Sequence, residues 1–427
     1  MHDATLKRSI LSMLAPKRNL STLATLQGCG KNTTRSLLYW LDQSGLALHL
    51  YRRLQRENAL DLIRTDLRQA LEQRVLQNRV RVDAMLSEFS RLNESFANHG
   101  VHYSAVKGFT LIPEYCPDPY LRHQADFDFM IAPDSASNAA RALASCGYEL
   151  QESGDSGQLT FGTPLLHVPT RRDNIYDVPR HRQVDLHSVL WHGTHCVSIA
   201  APTGCLDRIQ RKRLLGVSFP SIAADDTFLL QVFHAFQHLL ASWVRLSWLL
   251  ELDHFIGANE HDEAFWQSVR DRAGDDNKLR RAFGLVLRLT SQIFPRRLPP
   301  ILEEWCIAPL PRSTQTWVRQ FGLKWAISDL PGRKVTLFVH RDFVDDPAIW
   351  RKYLRGRIFP LHFRSPSGLG VRSNLNVRVN ASIARFTHQI RRAILHIREM
   401  ASLALDAIRW RRILRAMPRQ SGAIQAD

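Results

Sequence analysis

The segment 125–131, Ala-Asp-Phe-Asp-Phe-Met-Ile, constrains the fold most, because acidic and aromatic side chains alternate in it. Successive side chains of a β-strand point to opposite faces, so Asp126 and Asp128 share one face and Phe127 and Phe129 the other. Two carboxylates this close repel each other, and one would take up a proton unless a cation compensates. The segment predicts a strand with an apolar anchoring face and a cation-binding acidic face. Two solvent-facing aspartates on an edge strand are the alternative.

A second acidic strand is predicted at residues 183–187, Gln-Val-Asp-Leu-His. Its apolar residues alternate with Asp185, which projects toward the first acidic face if the two strands pair. Mg²⁺ prefers carboxylates, phosphate oxygens and water, and two ions about 4 Å apart can hold both oxygens of an in-line displacement. We therefore predict a pair of Mg²⁺ ions on Asp126, Asp128 and Asp185. Asp185 is also predicted to activate an acceptor hydroxyl or to accept its proton.

The remaining pattern combines helical periodicity with a compact α/β module. Helices are predicted over 58–98 and 133–146 and again beyond about residue 222, and strand-like runs occur at 101–106, from Tyr148, at 159–161 and at 165–168. We predict an α+β fold in which a small mixed sheet is embedded in a mostly helical chain. The predicted regions are a helical N-terminal region (1–100), an α/β core (101–200), a helical domain (201–355) and a linker with an Arg-rich C-terminal helix (356–427).

Three residues are candidates for binding phosphate. Lys107 and Gly108 end the first strand-like run, where Gly permits close backbone approach and Lys supplies a point charge. Arg122 lies four residues before Asp126. The alternative for Lys107 and for Arg122 is that each is an ordinary surface cation without a role in binding.

The histidines suggest a metal less clearly. His187, His192, His195 and Cys196 have no recognised zinc-ligand spacing. His234 and His238 lie one helical turn apart, but no Glu follows His234 as a zinc protease would require. Packed core histidines are the favoured interpretation of this pair.

The chain has a formal net charge of +17, which favours an anionic partner such as nucleotide phosphates, nucleic acid or an acidic membrane face. Residues 371–420 contain eleven Arg against Glu399 and Asp406, so 11 − 2 = 9 of these charges lie in the C-terminal tail. The tail predicts a solvated amphipathic helix, with contact to nucleic acid or an anionic membrane as the alternative. Six scattered cysteines without CxxC pairs and a start without a signal-like apolar segment favour the cytoplasm.

Several motifs, taken in order, resemble the bacterial uncharacterised nucleotidyltransferase family, part of the polymerase-beta-like superfamily. They are Val106-Lys107-Gly108-Phe109-Thr110-Leu111, the Tyr115, Pro117, Pro119 stretch, Arg122, Asp126-Phe127-Asp128-Phe129-Met130-Ile131 and Val184-Asp185-Leu186-His187. The resemblance runs from about residue 36 to 360. It implies metal ligation by Asp126, Asp128 and Asp185, and nucleotide binding by Lys107, Gly108 and Arg122. One departure is that Gly108-Phe109 replaces the superfamily's usual Gly-Ser or Gly-Gly turn.

The resemblance implies a nucleotidyltransferase core and an enzyme that moves a nucleoside monophosphate, or a phosphoryl group, from a nucleoside triphosphate such as ATP to an unidentified acceptor. Mg²⁺ would be the cofactor and the nucleoside triphosphate a substrate. The alternative is a non-catalytic nucleic-acid-binding or regulatory protein on the same fold. It would use the basic tail and a helix-turn-helix-like segment at 23–46.

Overall fold

The computed structural model of the 427-residue chain describes residues 3–16, 23–153, 158–164, 175–191, 193–328, 334–359 and 375–416, with the backbone alone for 375–389 and 391. The helices in this part are α1 (Asp3–Leu14), α2 (Leu23–Gln27), α3 (Lys31–Ser44), α4 (Ala47–Arg56), α5 (Thr65–Asn98), α6 (Ala136–Ser145), α7 (Ala224–Leu240), α8 (Leu246–Ala258), α9 (Glu263–Ala273), α10 (Asn277–Ile293), α11 (Pro300–Leu302), α12 (Arg312–Trp317), α13 (Leu323–Ala326), α14 (Leu337–His340), α15 (Pro347–Ile358) and α16 (Leu375–Ala416). The strand predicted at 165–168 and His192 lie outside the described residues.

A mixed sheet is embedded among these helices, which confirms the predicted α+β class. Its strands are β1 (Tyr103–Val106), β2 (Phe127–Ile131), β3 (Glu149–Ser153), β4 (Leu159–Gly162), β5 (Gln183–His187), β6 (Gln210–Leu214) and β7 (Val217–Ser221). Their order in the sheet is β3-β4-β5-β2-β1-β7-β6. The central β2 pairs antiparallel with β1 and parallel with β5, so the two predicted acidic strands are neighbours.

The apolar face of β2 anchors the sheet to the long helix α5. Phe129 stacks on Phe89 with ring centroids 5.9 Å apart and meets the edge of Phe96 at 4.9 Å. Phe127 lies on the same side, 6.2 Å from Phe89. Burying a phenylalanine side chain contributes roughly 1.5–3 kcal/mol, so this ring cluster fixes the sheet against α5 and holds the other face in place.

The opposite face of β2 points toward the helices of the second half of the chain. Met130, two residues beyond Asp128 on the same face, packs in the hydrophobic core that also contains Leu230 and Phe233 of α7. The sheet is therefore covered on both faces, and the acidic end of β2 is left facing the space beside α7 and α8.

Two strands at one edge of the sheet were not predicted. The β6–β7 hairpin turns at Leu215 and Gly216, both with positive φ (47° and 88°), as a two-residue hairpin requires. The β6 residues Arg211, Lys212 and Arg213 are charged, which protects an edge strand from further pairing but hides the strand pattern in the sequence. The sheet thus continues past residue 200.

The C-terminal helix α16 packs against the helical part through one face. Lys324 Nζ contacts Asp406 Oδ1 at 2.6 Å, and Trp410 stacks on Phe338 at 5.9 Å. On the outer face, Ile397 and Leu405 are exposed beside exposed arginines. None of the helices in the described ranges combines the length and the apolar character needed to cross a membrane.

Candidate active site

One face of the sheet and the pair α7–α8 enclose a cavity of about 350 Å³, which is in the size range of small-molecule sites. Its walls include all six residues that the sequence analysis predicted for the site, namely Lys107, Gly108, Arg122, Asp126, Asp128 and Asp185. Further lining residues were not assigned to the site from the sequence, among them His123, His187, His234, Gln237, His238, Trp243, Arg245 and Trp248. The fold therefore brings distant segments of the chain to one concave surface.

Asp128 is held by two cationic or polar partners. Its Oδ1 accepts hydrogen bonds from Lys107 Nζ at 2.7 Å and from His187 Nε2 at 2.9 Å. Burial acts to raise the pKa of Asp128, but Lys107 and His187 outweigh it and keep that pKa well below its usual range. Burial likewise disfavours the charged form of Lys107, yet Asp128 reverses the effect and raises the pKa of the ammonium group. The pair is therefore ionised near neutral pH.

Asp185 lies beside Asp128 and has its own polar neighbours. The parallel register of β2 and β5 pairs the two residues directly. Asp185 Oδ1 accepts a hydrogen bond from Thr160 Oγ1 at 2.7 Å, and Gln183 Nε2 donates to both carboxylate oxygens at 3.1 and 3.2 Å. Asp185 is 8% exposed, so these donors replace most of the water that would otherwise solvate it.

Asp126 has a different environment from the other two carboxylates. Burial and the nearby charge of Asp128 raise the pKa of Asp126 to about 6. None of the described residues donates a hydrogen bond to its carboxylate. Asp126 therefore attracts a proton or an added cation more strongly than an ordinary surface aspartate does.

The carboxylates supply the oxygen ligands that Mg²⁺ prefers. Among the described residues, no three His, Cys, Asp or Glu side chains are arranged to hold a metal ion as they stand. In this arrangement Asp128 and Asp185 are engaged by hydrogen bonds from neighbouring side chains. The unpartnered carboxylate of Asp126 beside ionised Asp128 is the part of the site that fits a divalent cation.

The Lys107-Gly108 turn aims the lysine at the carboxylates. Both residues have positive φ, 56° and 49°, a conformation that costs a non-glycine residue of order 1–3 kcal/mol. A Cβ at Gly108 would lie 2.6 Å from Nε2 of Gln124, so a larger residue would displace the end of that side chain. The space that Gly108 opens is thus filled by Gln124, and the Lys107 ammonium group is the polar group of this turn that reaches Asp128.

Two half-buried arginines, Arg122 and Arg245, line the cavity near Asp126. Arg122 donates to Glu251 Oε1 at 2.9 Å and to Gln124 at 2.9 Å, so it is already paired. Arg245 donates to Nδ1 of His123 at 3.1 Å, has no carboxylate partner among the described residues and keeps a buried Nε without a hydrogen bond. Burial and the charge of Arg122 lower the pKa of Arg245. This part of the cavity therefore has an excess of positive charge.

Four aromatic side chains, His234, His238, Trp243 and Trp248, form the helical side of the cavity; we call them the aromatic wall. The two histidines were interpreted as core residues, whereas they pack against Trp248, at 4.4 and 4.7 Å, and also line the cavity. Burial and the nearby charge of Lys107 lower the pKa of His238 to about 4 and that of His234 well below its usual range. Both imidazoles are therefore neutral near pH 7.

A family model described as uncharacterised nucleotidyltransferase matches residues 31–295, which is more than half of the 427-residue chain. The chain belongs to the uncharacterised nucleotidyltransferase family. This membership makes it a nucleotidyltransferase, a transferase of phosphorus-containing groups. No curated protein matches it significantly.

The region matched to the nucleotidyltransferase family contains the whole cavity. It begins at the first residue of α3 and ends just after α10, so it covers both acidic strands and the α7–α8 pair. The helices from α11 to α16 follow the matched region. The described residues of every cavity wall, from Val106 to Trp248, therefore lie within the part that shows the family.

Sequence reasoning missed several polar residues of this candidate site. The alternation in 183–187 already placed Gln183 and His187 on the face of Asp185, which was a usable signal for both. Thr160 contacts Asp185 only through the pairing of β4 with β5. Arg245 lies in the connection between α7 and α8, and no local spacing indicates that this connection reaches β2.

Proposed function

We propose that this nucleotidyltransferase moves a nucleoside monophosphate from a nucleoside triphosphate to the hydroxyl or other nucleophile of an acceptor. A bond forms between the acceptor atom and the α-phosphorus, the bond from the α-phosphorus to the β-phosphate breaks, and pyrophosphate leaves. The observation that carries the proposal is the contrast within the pair Asp126 and Asp128. One carboxylate is ionised and held by Lys107 and His187, and the other has a raised pKa and no hydrogen-bond donor among the described residues. Such a pair of carboxylates would favour binding of a divalent cation.

Asp126 and Asp128 would hold Mg²⁺, with Asp185 as the third carboxylate ligand. A bound Mg²⁺ supplies positive charge to the oxygens of the phosphate that is attacked, and two ions can hold both the attacking and the leaving oxygen. The aligned position of Asp185 beside Asp128 supports this assignment. Thr160 and Gln183 keep the Asp185 carboxylate oriented, which also suits it to accept the proton of the acceptor hydroxyl.

The cations around the carboxylates would bind the phosphate chain of the nucleotide. Lys107 offers an ammonium group at the acidic end of β2, next to the reacting phosphate. Arg245 has a buried Nε without a hydrogen bond and no carboxylate partner among the described residues, and an arginine of this kind binds phosphate oxygens strongly. Arg122 is already paired with Glu251, so we assign it a supporting role in phosphate binding. It holds Gln124 beside Gly108 and adds positive charge near the phosphates.

Labelled nucleotides test the reaction directly. The purified protein is incubated with Mg²⁺, a cell extract and ATP that carries the label either at the α- or at the γ-phosphate. Nucleotidyl transfer places the α-label on the product, whereas phosphoryl transfer places only the γ-label there. The α-label on a product supports the proposal, and a product with only the γ-label contradicts it.

Matched variants connect the reaction to the site. Asp126→Asn and Asp128→Asn are each expected to abolish transfer of the α-label, while Asp134→Asn, on the exposed turn after β2, serves as the control. Unchanged transfer by the first two variants would rule out the proposed carboxylate site. Tight, salt-sensitive binding of RNA or DNA without nucleotide uptake would instead favour a non-catalytic nucleic-acid-binding protein.

A further inference from the structure

We infer that the aromatic wall binds the nucleobase of the nucleoside triphosphate. The inference rests on the proposed function, because it assigns the base to one side of the cavity and the phosphates to the other. The wall is a continuous cluster of rings. Trp243 and Trp248 meet nearly at right angles with centroids 5.5 Å apart, and His238 lies 5.4 Å from Trp243 and 4.7 Å from Trp248.

The fold holds these rings as one surface. His234 and His238 are one turn apart on α7 and therefore project from the same side of the helix. A short connection with Ser242 at φ 69° follows α7, and Trp248 stands in the first turn of α8. Each ring is only partly buried although its neighbours are packed, so its remaining surface faces the cavity.

The charge state of the wall indicates what kind of group it contacts. Both imidazoles are neutral near pH 7, because burial and Lys107 disfavour their protonation. Anionic groups such as phosphates and carboxylates would bind to the cations Lys107 and Arg245 and not to the neutral aromatic wall. The wall therefore suits an uncharged, flat group that can stack on an aromatic ring.

The wall also offers hydrogen bonds that the protein does not use. A neutral imidazole presents one donor and one acceptor, and no described residue bonds to the ring nitrogens of His234 or His238. The exposed side chain of Gln237, between them on α7, adds an amide donor and a carbonyl acceptor at the same wall. The edge of a nucleobase carries the same mixture of donors and acceptors, so a base satisfies groups that would otherwise face a partly desolvated cavity.

The position of Arg245 favours the nucleobase over the acceptor as the occupant. The Arg245 guanidinium lies 5.8 Å from the centroid of Trp243 and belongs to the same connection between α7 and α8. A phosphate chain that contacts Arg245 and Lys107 thus brings its own nucleoside to the adjoining rings. The acceptor then approaches from another side of the carboxylates.

Binding of two ligands separates the base contact from the phosphate contact. ATP and inorganic tripolyphosphate, which has no base, are titrated by calorimetry into the full-length protein with Mg²⁺. Trp243→Leu and Trp248→Leu are each expected to weaken ATP binding roughly 5- to 100-fold, since base stacking on an aromatic ring is worth that much. Tripolyphosphate affinity should change less than about twofold by the same reasoning.

Two control variants and one variant that tests base recognition complete the experiment. Trp248→Phe keeps an aromatic ring and should restore most of the ATP affinity. Tyr39→Leu removes an exposed ring outside the cavity and should leave both ligands unaffected. His238→Phe keeps the ring but loses the hydrogen bonds, so it should change the ratio of ATP to CTP affinity. Unchanged tripolyphosphate binding shows in each case that the variant is folded.

The outcomes test nucleobase binding by the aromatic wall separately from the proposed nucleotidyl transfer. If the wall variants lose ATP and tripolyphosphate affinity equally, or bind ATP as tightly as the wild type does, the wall does not bind the base and the inference is overturned. The proposed function survives in both cases. If the wild-type protein binds neither ligand with Mg²⁺, both the proposed function and this inference fail.

Discussion

The two sides of the cavity differ in charge and in how far their polar groups are satisfied. On the sheet side, Asp128 and Asp185 are buried and receive hydrogen bonds from neighbouring side chains. On the helical side, the aromatic wall is neutral, and the ring nitrogens of His234 and His238 have no partner among the described residues. The sheet side is therefore organised in advance for charge, and the helical side leaves its recognition groups for a ligand.

We propose that the chemical step takes place on the sheet side and that the helical side recognises the nucleobase. Hydrogen bonds that fix a carboxylate reduce the reorganisation needed when charge develops on a bound phosphate. Unused donors and acceptors cost free energy in the empty site and regain it only when a matching ligand is bound. Asp126 is the exception on the sheet side, because its carboxylate lacks a donor among the described residues, and a cation is the partner we propose for it.

The largest expected effect is that of Asp128→Asn, which removes the most strongly held charge of the sheet side. We expect transfer to fall by about 10³-fold, in line with the loss of a key electrostatic group. The change also leaves the mostly buried ammonium group of Lys107 without its ion-pair partner, so the free energy of unfolding should fall by about 3–5 kcal/mol. Labelled-ATP transfer and urea unfolding measure the two effects. Stability equal to that of the wild type would show that the pair is not a fixed part of the site.

Asp126→Asn should have a similar effect on transfer, a loss of at least about 10²-fold, but the opposite effect on stability. The pKa of Asp126 in the folded protein, about 6, lies above that of an unfolded chain, so folding favours the protonated form and deprotonation costs stability as the pH rises. A neutral Asn escapes this cost, which is about 1–3 kcal/mol above pH 7.

Unfolding at several pH values checks this opposite sign. The stability difference between Asp126→Asn and the wild type should be present at pH 7.5, shrink as the pH falls below 6 and disappear only below about 3.8, where Asp126 is protonated in both the folded and the unfolded chain. Destabilisation at pH 7.5 would mean that the Asp126 carboxylate already has a favourable partner, and the contrast with Asp128 would then disappear.

Arg245→Met should mainly weaken nucleotide binding. A charged hydrogen bond contributes about 1.5–3 kcal/mol, so we expect the KM for the nucleoside triphosphate to rise roughly 10- to 100-fold with a smaller change in kcat. Arg411→Ala, at an exposed position of α16, is the matched control and should change neither parameter. If both variants behave alike, the buried arginines do not bind the phosphates.

The sequence predicted the sheet side of the site better than the helical side, for a physical reason. Alternation in two short segments places Asp126, Asp128 and Asp185 on polar strand faces without any knowledge of the tertiary structure. The residues of the helical side depend on how α7 and α8 cross the sheet. Helical spacing explains why His234 and His238 share a side of α7, but it does not distinguish a core from a cavity.

The same limit applies to the fold. The helix predicted over 58–98 is present mainly as α5, which begins at Thr65, because a 34-residue periodic segment carries a strong signal. The β6–β7 hairpin was missed because Pro220 and consecutive charged residues at 211–213 contradict the usual strand pattern. The hairpin forms strands because β7 pairs with β1 and β6 then pairs with β7 as the edge strand, and not because its residues prefer the strand conformation.

The pH dependence of transfer should reveal the carboxylate that lacks a donor. Because the pKa of Asp126 is raised to about 6 and we propose that its ionised form binds the cation, kcat/KM should fall about tenfold per pH unit below 6 and level off above it. Higher Mg²⁺ concentrations should move the midpoint to lower pH, since the cation competes with the proton. A midpoint that is insensitive to Mg²⁺ would assign the titration to another group.

The smallest expected effect is that of Thr160→Val, which removes one hydrogen bond from Asp185 and keeps the shape and strand preference of the side chain. Since Gln183 still donates to Asp185, the loss should be about 1 kcal/mol, or roughly fivefold in transfer. The effect should appear in kcat and not in the KM for the nucleotide, because we propose that Asp185 accepts the proton of the acceptor hydroxyl. Thr160→Ser, which restores the hydroxyl, should recover most of the rate. An equal rise in nucleotide KM would place Asp185 with the nucleotide-binding residues and would weaken the division between the two sides of the cavity.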